Sequence, residues 1–124
     1  LRSNVYGISS NPQLGLDTIY FSIGLPSQVP AIDLTSMEVV FSARGTAPVI
    51  LTYGTKDSTS TFTTTRGNIA VTSLGPGDEV EITFRVTGVP AGTKVQIEVK
   101  PSAGAVLPIS GTVPAMLSST NILD

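Results

Sequence analysis

Apolar and polar residues alternate most regularly in the second half of the chain. Val80, Ile82, Phe84 and Val86 interleave with Glu79, Glu81, Thr83 and Arg85; further on, Val95, Ile97 and Val99 interleave with Lys94, Gln96, Glu98 and Lys100. A period of two sets one face of a strand on a core and the other in water. The register that follows buries Ile82, Phe84, Val95 and Ile97 and exposes Glu81, Arg85, Gln96 and Glu98. Pro76-Gly77 leads into the first strand as a type II turn would, because glycine takes the positive φ of the third turn position. Val89-Pro90-Ala91-Gly92 has the length of a hairpin loop between the two strands. Such a hairpin would set Glu79 and Glu81 across the sheet from Lys94, Gln96 or Lys100.

The same alternation, weaker, recurs along the chain. Asn4 to Ser9 reads as a first strand, broken by Asn11-Pro12 and Gly15; Asp17 to Leu25 follows and ends at Pro26. Met37 to Ala43 is closed by Arg44-Gly45, and Val49 to Tyr53 is stopped by Gly54. Thr61 to Thr65 and Asn68 to Ser73 flank Arg66-Gly67 and read as a hairpin. The last strands are expected over Ala105 to Ile109 and Val113 to Ile122, where Pro108 and Pro114 suit sheet edges. No window holds a helical apolar stripe for three turns, and abundant Thr, Val and Ile favour strands. The expectation is an all-β, immunoglobulin-like β-sandwich of seven to nine short strands, in a single domain over residues 1–124.

Composition narrows what such a sandwich could do. Charged residues make up 13% of the 124, about half the usual share, while the mean hydropathy is positive without any long apolar run. Surfaces of that kind suit contact with other subunits or a covering of glycans. Seven cations against nine acids give a net charge of −2, and the cations are scattered, so there is no footprint for nucleic acid or for anionic lipid. No apolar run reaches the roughly 18 residues of a membrane span.

Little chemistry is on offer. The chain has no histidine and no cysteine, which removes the usual general base, thiol nucleophiles, zinc-thiolate sites and disulfides. Lys94 and Lys100 fall on a solvated strand face and Lys56 in a polar turn, so no lysine is placed for a depressed pKa. Glu79 and Glu81 share a strand face beside Asp78, but sugar hydrolysis would call for aromatic platforms, and there is no Trp; Tyr6, Tyr20 and Tyr53 lie in separate strands. The acids are read as solvated, with no calcium-loop spacing around Asp78 and a turn or capping role for Asp33. Gly75-Pro76-Gly77 precedes a strand, not a helix, and is no phosphate loop. The expected list of catalytic residues, cofactors and metals is therefore empty.

One segment is locally biased: in Asp57 to Thr65, DSTSTFTTT, seven of nine residues are Ser or Thr. It reads either as an exposed hairpin strand or as an outward site for O-linked sugars at Ser58, Thr59, Ser60, Thr61, Thr63, Thr64 and Thr65. N-linked glycosylation is not expected, since Asn4, Asn11, Asn68 and Asn121 all lack Ser or Thr two positions on.

The ordered series from Leu74 to Ala115, LGPGDEVEITFRVTGVPAGTKVQIEVKPSAGAVLPISGTVPA, resembles the C-terminal half of the archaellins, structural subunits of the archaeal swimming filament, the archaellum. Ala31-Ile32-Asp33-Leu34 with Met37 to Phe41 resembles that family's strand segment further upstream, and Thr18 to Leu25 the strand that leads into it; Ala43 to Ser73 matches nothing specific. Archaellins begin with a long apolar helix that this stretch of sequence does not contain, so the resemblance implies the head domain of a longer subunit. It also implies an extracellular location, other copies of the subunit or related archaellins as partners in a helical filament, and an isolated domain that stays monomeric. Two alternatives remain: an accessory sandwich that anchors the archaellum motor to the surface layer, and a carbohydrate-binding or adhesion module. The second would need a ring of surface aromatics, and the chain has seven aromatics, several at inward positions.

Overall fold

The structure, a computed structural model, describes residues 5–10, 15–25, 27, 30–45, 47–54, 60–67, 69–101 and 106–123. In chain order the elements are β1 (Val5–Ile8), β2 (Leu16–Gly24), β3 (Ile32–Asp33), a 3-10 turn (Leu34–Ser36), β4 (Glu38–Ala43), β5 (Val49–Tyr53), β6 (Thr61–Arg66), β7 (Ile69–Ala70), β8 (Ser73–Leu74), β9 (Glu79–Val89), β10 (Lys94–Lys100), β11 (Leu107–Thr112) and β12 (Thr120–Leu123). Three of these, β3, β7 and β8, are two residues long. The remaining nine match the seven to nine strands expected in number, although β12 overlaps only the end of the strand expected over Val113 to Ile122.

Hydrogen bonding links those nine in the order β11-β10-β4-β5-β6-β9-β2-β1-β12, with β7 on β6 and β3 paired to β8 apart. Neighbours are antiparallel except at β5–β6, where two parallel pairs, Thr52↔Thr61 and Tyr53↔Phe62, make the joint. At this narrow joint the sheet folds over on itself. Phe41 of β4 meets Phe84 of β9 across the interior, so one half, β11-β10-β4-β5, faces the other, β6-β9-β2-β1-β12. The opposite edges also converge. A Cβ on Gly111 of β11 would stand 3.1 Å from the Leu123 Cβ of β12, so the absence of a side chain at 111 lets the two edge strands approach.

The core is the apolar half of each alternation. Ile82, Phe84, Val95 and Ile97 are buried and Glu81, Arg85, Gln96 and Glu98 exposed, as the period of two requires. Phe21, Phe62, Leu51, Val39 and Met37 are among the other side chains that fill the interior. The turn before β9 forms with Gly77 at φ 77° and the Asp78 N–H donating to the Gly75 carbonyl at 3.1 Å. Asp33 caps the 3-10 turn, accepting from the Thr35 N–H at 3.0 Å and from the Thr35 and Ser36 hydroxyls. Pro108 lies in β11, an edge strand, where its missing N–H interrupts no ladder.

The hairpin expected at Val89-Pro90-Ala91-Gly92 does not form. β9 pairs with β2 and β6, and β10 with β4 and β11, so the link between them crosses from one sheet half to the other. It turns at Gly92, φ 79°, whose N–H donates to Val113 and Pro114 carbonyls at 3.0 and 3.2 Å. A hairpin would have put the two apolar strand faces side by side; the crossing lets them face each other and close a core between them. The cross-sheet pairing of Glu79 and Glu81 with Lys94, Gln96 or Lys100 is accordingly absent: Glu79 lies opposite Gly24, Glu81 opposite Ser22 and Thr65, and Lys100 opposite Glu38.

Two further segments depart from expectation. The stretch after Arg66-Gly67 does turn back on β6 (Thr65↔Ala70, Arg66↔Ile69), but then leaves it, and Ser73–Leu74 pairs with β3 instead. Asn68 lies outside the described residues. Val113 to Ser119 is not strand: the Asn121 side chain braces it, accepting from the Ser118 N–H and donating to the Ser118 carbonyl, both at 2.8 Å, and strand structure resumes at Thr120.

Candidate assembly surface

The two ends of the sandwich differ in charge. β2 runs from one end to the other and β9 returns, so Leu16 and Val89 mark one end and Gly24 and Glu79 the other. The second end gathers the Pro76-Gly77 turn, β3, β8 and the 3-10 turn, tied by the Leu25 N–H to the Asp78 carbonyl and the Leu34 N–H to the Thr72 carbonyl. It holds the carboxylates of Asp33, Glu38, Asp78, Glu79 and Glu81 against the cations Arg66 and Lys100. Arg66 bridges Asp78 at 3.6 Å with both side chains about half exposed, a contact worth little in water. The first end holds Arg44, Arg85 and Lys94 against Asp17.

At the first end the sheet wall has a slot. β6 reaches only as far as Thr61, so on that side no strand pairs Val49–Leu51 of β5 or residues 85–89 of β9 among the described residues. β9 also bulges there: between the pairs Thr18↔Arg85 and Leu16↔Val89 it spends four steps to the two of β2, with Gly88 at φ 54°. The opening leads to a cavity of about 300 Å³. Its floor is core (Phe41, Leu51, Phe84, Val86), and Arg44 and Arg85 stand among its lining residues. A glycine inside a strand is the sequence signal for such a bulge. At Gly88 that signal was overridden by the regular alternation on either side.

The Ser/Thr-rich segment is not a surface loop throughout. Residues 55–59, with the candidates Ser58 and Thr59, lie outside the described residues. Ser60 is exposed, and Thr61, Thr63 and Thr65 are half-buried on the outer face of β6. Thr64 corrects the expectation: it is 1% exposed and its hydroxyl donates to the Val71 carbonyl at 2.5 Å, so no sugar could reach it. Because β6 lies between β9 and β5, every second residue, Phe62 and Thr64, points into the core.

Tyr6 and Tyr20, distant in sequence, stack with ring centroids 5.0 Å apart because β1 and β2 pair in that register. Burial, and then the negative charge of neighbouring Glu81, push the Tyr20 hydroxyl above its ordinary pKa. Tyr6 and Tyr20 each turn one face to the other, and Tyr53 packs edge-on against Phe62, so the three tyrosines do not gather into one platform. Asp17 is half-buried, which alone would raise its pKa, but hydrogen bonds from Ser10 and Thr18 and the charge of Arg85 outweigh this and hold it low. Asp33 is held low by its Thr35 and Ser36 hydrogen bonds. Among the described residues no three potential ligands come together to hold a metal ion.

Among the described residues the sandwich thus has an acidic end and a basic, slotted end. The archaeal-type flagellin family matches residues 1–111. This chain belongs to that family. The crystal structure of archaeal flagellin FlaB1 from Methanocaldococcus jannaschii superposes with a TM-score of 0.82 at 17% identity, covering 98% of this flagellin and 93% of that chain. That likeness is one of fold. The archaeal flagellum of Methanospirillum hungatei strain JF1 gives a TM-score of 0.77 at 25% identity, over 98% of this flagellin and 68% of that chain. No curated protein matches this flagellin in sequence.

Proposed function

We propose that this flagellin is a structural subunit of the archaellum filament, its sandwich forming the outer, extracellular shell. The observation that carries the reading is the family match over residues 1–111, joined by the likeness to a chain of an assembled archaeal flagellum. The role is assembly and not catalysis: the sequence has no histidine or cysteine, and among the described residues Glu38, Glu79, Glu81, Glu98, Lys94 and Lys100 stand in exposed strand positions. Filament subunits of this kind need an axial core as well as a shell. We assign the core to an apolar helix outside these 124 residues, which makes residues 1–124 a single head domain and its isolated form a monomer. O-linked sugars on the outer hydroxyls of β6 would thicken the shell without touching the core.

Gold-labelled antibodies against the sandwich, applied to native cells, test the reading. Label along the whole length of the swimming filaments supports a shell subunit. Label only at the filament base would favour the accessory, surface-layer role instead.

A further inference from the structure

We propose that β1 is built as a shear clamp, the strand through which the sandwich bears the pull of the rest of the subunit. The inference rests on the filament reading, in which drag on the head is passed to an axial helix. Archaellins begin with that helix, so the load reaches the sandwich at Val5, the first residue of β1.

A strand that leads out of a fold is held by one ladder if it lies at a sheet edge. β1 is not at the edge: β12, formed from the far end of the chain, covers its other side. Four pairs, from Val5↔Leu123 to Ile8↔Thr120, join β1 to β12. Three more, from Tyr6↔Tyr20 to Ile8↔Thr18, join it to β2. Both neighbours are antiparallel to it, and antiparallel hydrogen bonds lie perpendicular to the strands. A pull along β1, directed from Ile8 towards Val5, therefore loads both ladders across all their bonds at once. A pull that parts β1 from a single neighbour opens that ladder one pair at a time.

Side chains oppose sliding as well. Tyr6 stacks on Tyr20 of β2, and the Asn121 side chain of β12 donates to the Gly7 carbonyl at 3.3 Å. Beyond Ile8 the buried Ser9 anchors the strand: its N–H donates to the Ser119 carbonyl at 3.0 Å and its hydroxyl to the Gly15 carbonyl at 2.8 Å. A slip by one residue would turn every side chain of β1 to the wrong face. A slip by two keeps the faces but brings Ser9 to the place of Gly7. A Cβ there stands 2.6 Å from the Leu16 side chain and 3.0 Å from that of Leu123, so two buried leucines would have to move aside. No neighbouring register is free to catch the strand once it starts to slide.

The test pulls single molecules of this chain in two directions. The sequence has no cysteine, so Ala91→Cys, at an exposed position between β9 and β10, supplies one attachment point. Pulling between the N-terminus and residue 91 loads the molecule along β1. The strands on either side of residue 91 are held more firmly than β1, β9 by eight pairs to β2 and four to β6, and β10 by six to β4 and six to β11, so β1 yields first. Pulling between the N-terminus and the C-terminus instead opens the β1–β12 ladder from Val5↔Leu123. The unfolding force should be at least about twofold higher in the first direction. Tyr20→Ala removes a contact of β1 with β2 and none with β12, so it should lower the first force and leave the second unchanged. Equal forces in the two directions, or equal losses in both on Tyr20→Ala, overturn the inference. Either result leaves the filament reading standing, since antibody labelling tests that reading separately.

Discussion

Phe41 of β4 and Phe84 of β9 face each other across the interior with ring centroids 5.6 Å apart and planes inclined at 57°. The pair joins the two halves of a sheet that is otherwise continuous only through the short β5–β6 joint. Phe84 also meets Phe21 edge-on at 6.4 Å, so one ring contacts both its own sheet half and the opposing one. Aromatic pairs of this geometry add about 0.5–1.5 kcal/mol to their area burial.

Phe84→Ala is therefore expected to cost about 3–5 kcal/mol in chemical denaturation, with Arg85→Ala, one residue on and facing water, staying within about 0.5 kcal/mol. A loss at Phe84 below about 1 kcal/mol would mean that the halves do not pack through this ring.

Thr64 should behave as a core residue despite its polar neighbours. Thr64→Val keeps the shape but removes the hydroxyl that serves the Val71 carbonyl, at a cost of about 1 kcal/mol. Thr63→Ala on the outer face should change stability by no more than about 0.5 kcal/mol. Thermal melts of the two variants side by side check the strand register, and equal losses would contradict it.

Gly15 adopts φ 88°, and a Cβ there would collide with the Val89 backbone carbonyl. Gly15→Ala combines left-handed strain with a clash against rigid main chain. A loss of about 2–4 kcal/mol is expected from the two effects together. Gly45→Ala has a similar φ but open space around it, and should show the strain alone. A melt in which both alanines cost the same would show that the Val89 contact has no influence.

Asp17 and Asp33 contribute to acid sensitivity. Both carboxyls are held below their ordinary pKa in the folded chain. Their stabilisation is thus fully present above the unfolded carboxyl range and is lost as pH falls through the lower folded values. Asp17→Asn should lower Tm at neutral pH, with the difference from the parent shrinking towards zero by about pH 2. A gap that stays constant across this range would assign the effect to the lost hydrogen-bond geometry and not to ionisation.

If the shell carries O-linked sugars on this segment, mass spectrometry of native filaments should find hexose-range additions on peptides spanning residues 57–66. Fragmentation should then place none of them on Thr64, whose hydroxyl is enclosed. Unmodified peptides would withdraw the glycan proposal, and a sugar on Thr64 would contradict its burial.

Much of the fold was legible because strand alternation is a local record of which face meets the core. β9 and β10, the Gly77 turn, the Asp33 cap and the edge position of Pro108 all follow from residues within a few positions of one another. The acidic nature of the Pro76-Gly77 corner and the shortage of catalytic groups were also plain from the sequence. Partner choice was not. The loop Val89 to Gly92 reads the same whether it makes a hairpin or crosses between sheet halves; the crossing is decided by the burial of Val80–Val86 against the opposing half. Thr64 looks like its neighbours in DSTSTFTTT and becomes a core residue only because β9 and β5 flank β6. The slot depends on where β6 starts relative to β5 and β9, and the gathering of acids at one end and of Arg44, Arg85 and Lys94 at the other depends on the direction in which each strand runs. Local pattern determines which side of each strand is wet. Which strands meet, and what their ends present to a neighbour, is settled only when all the apolar faces are buried together.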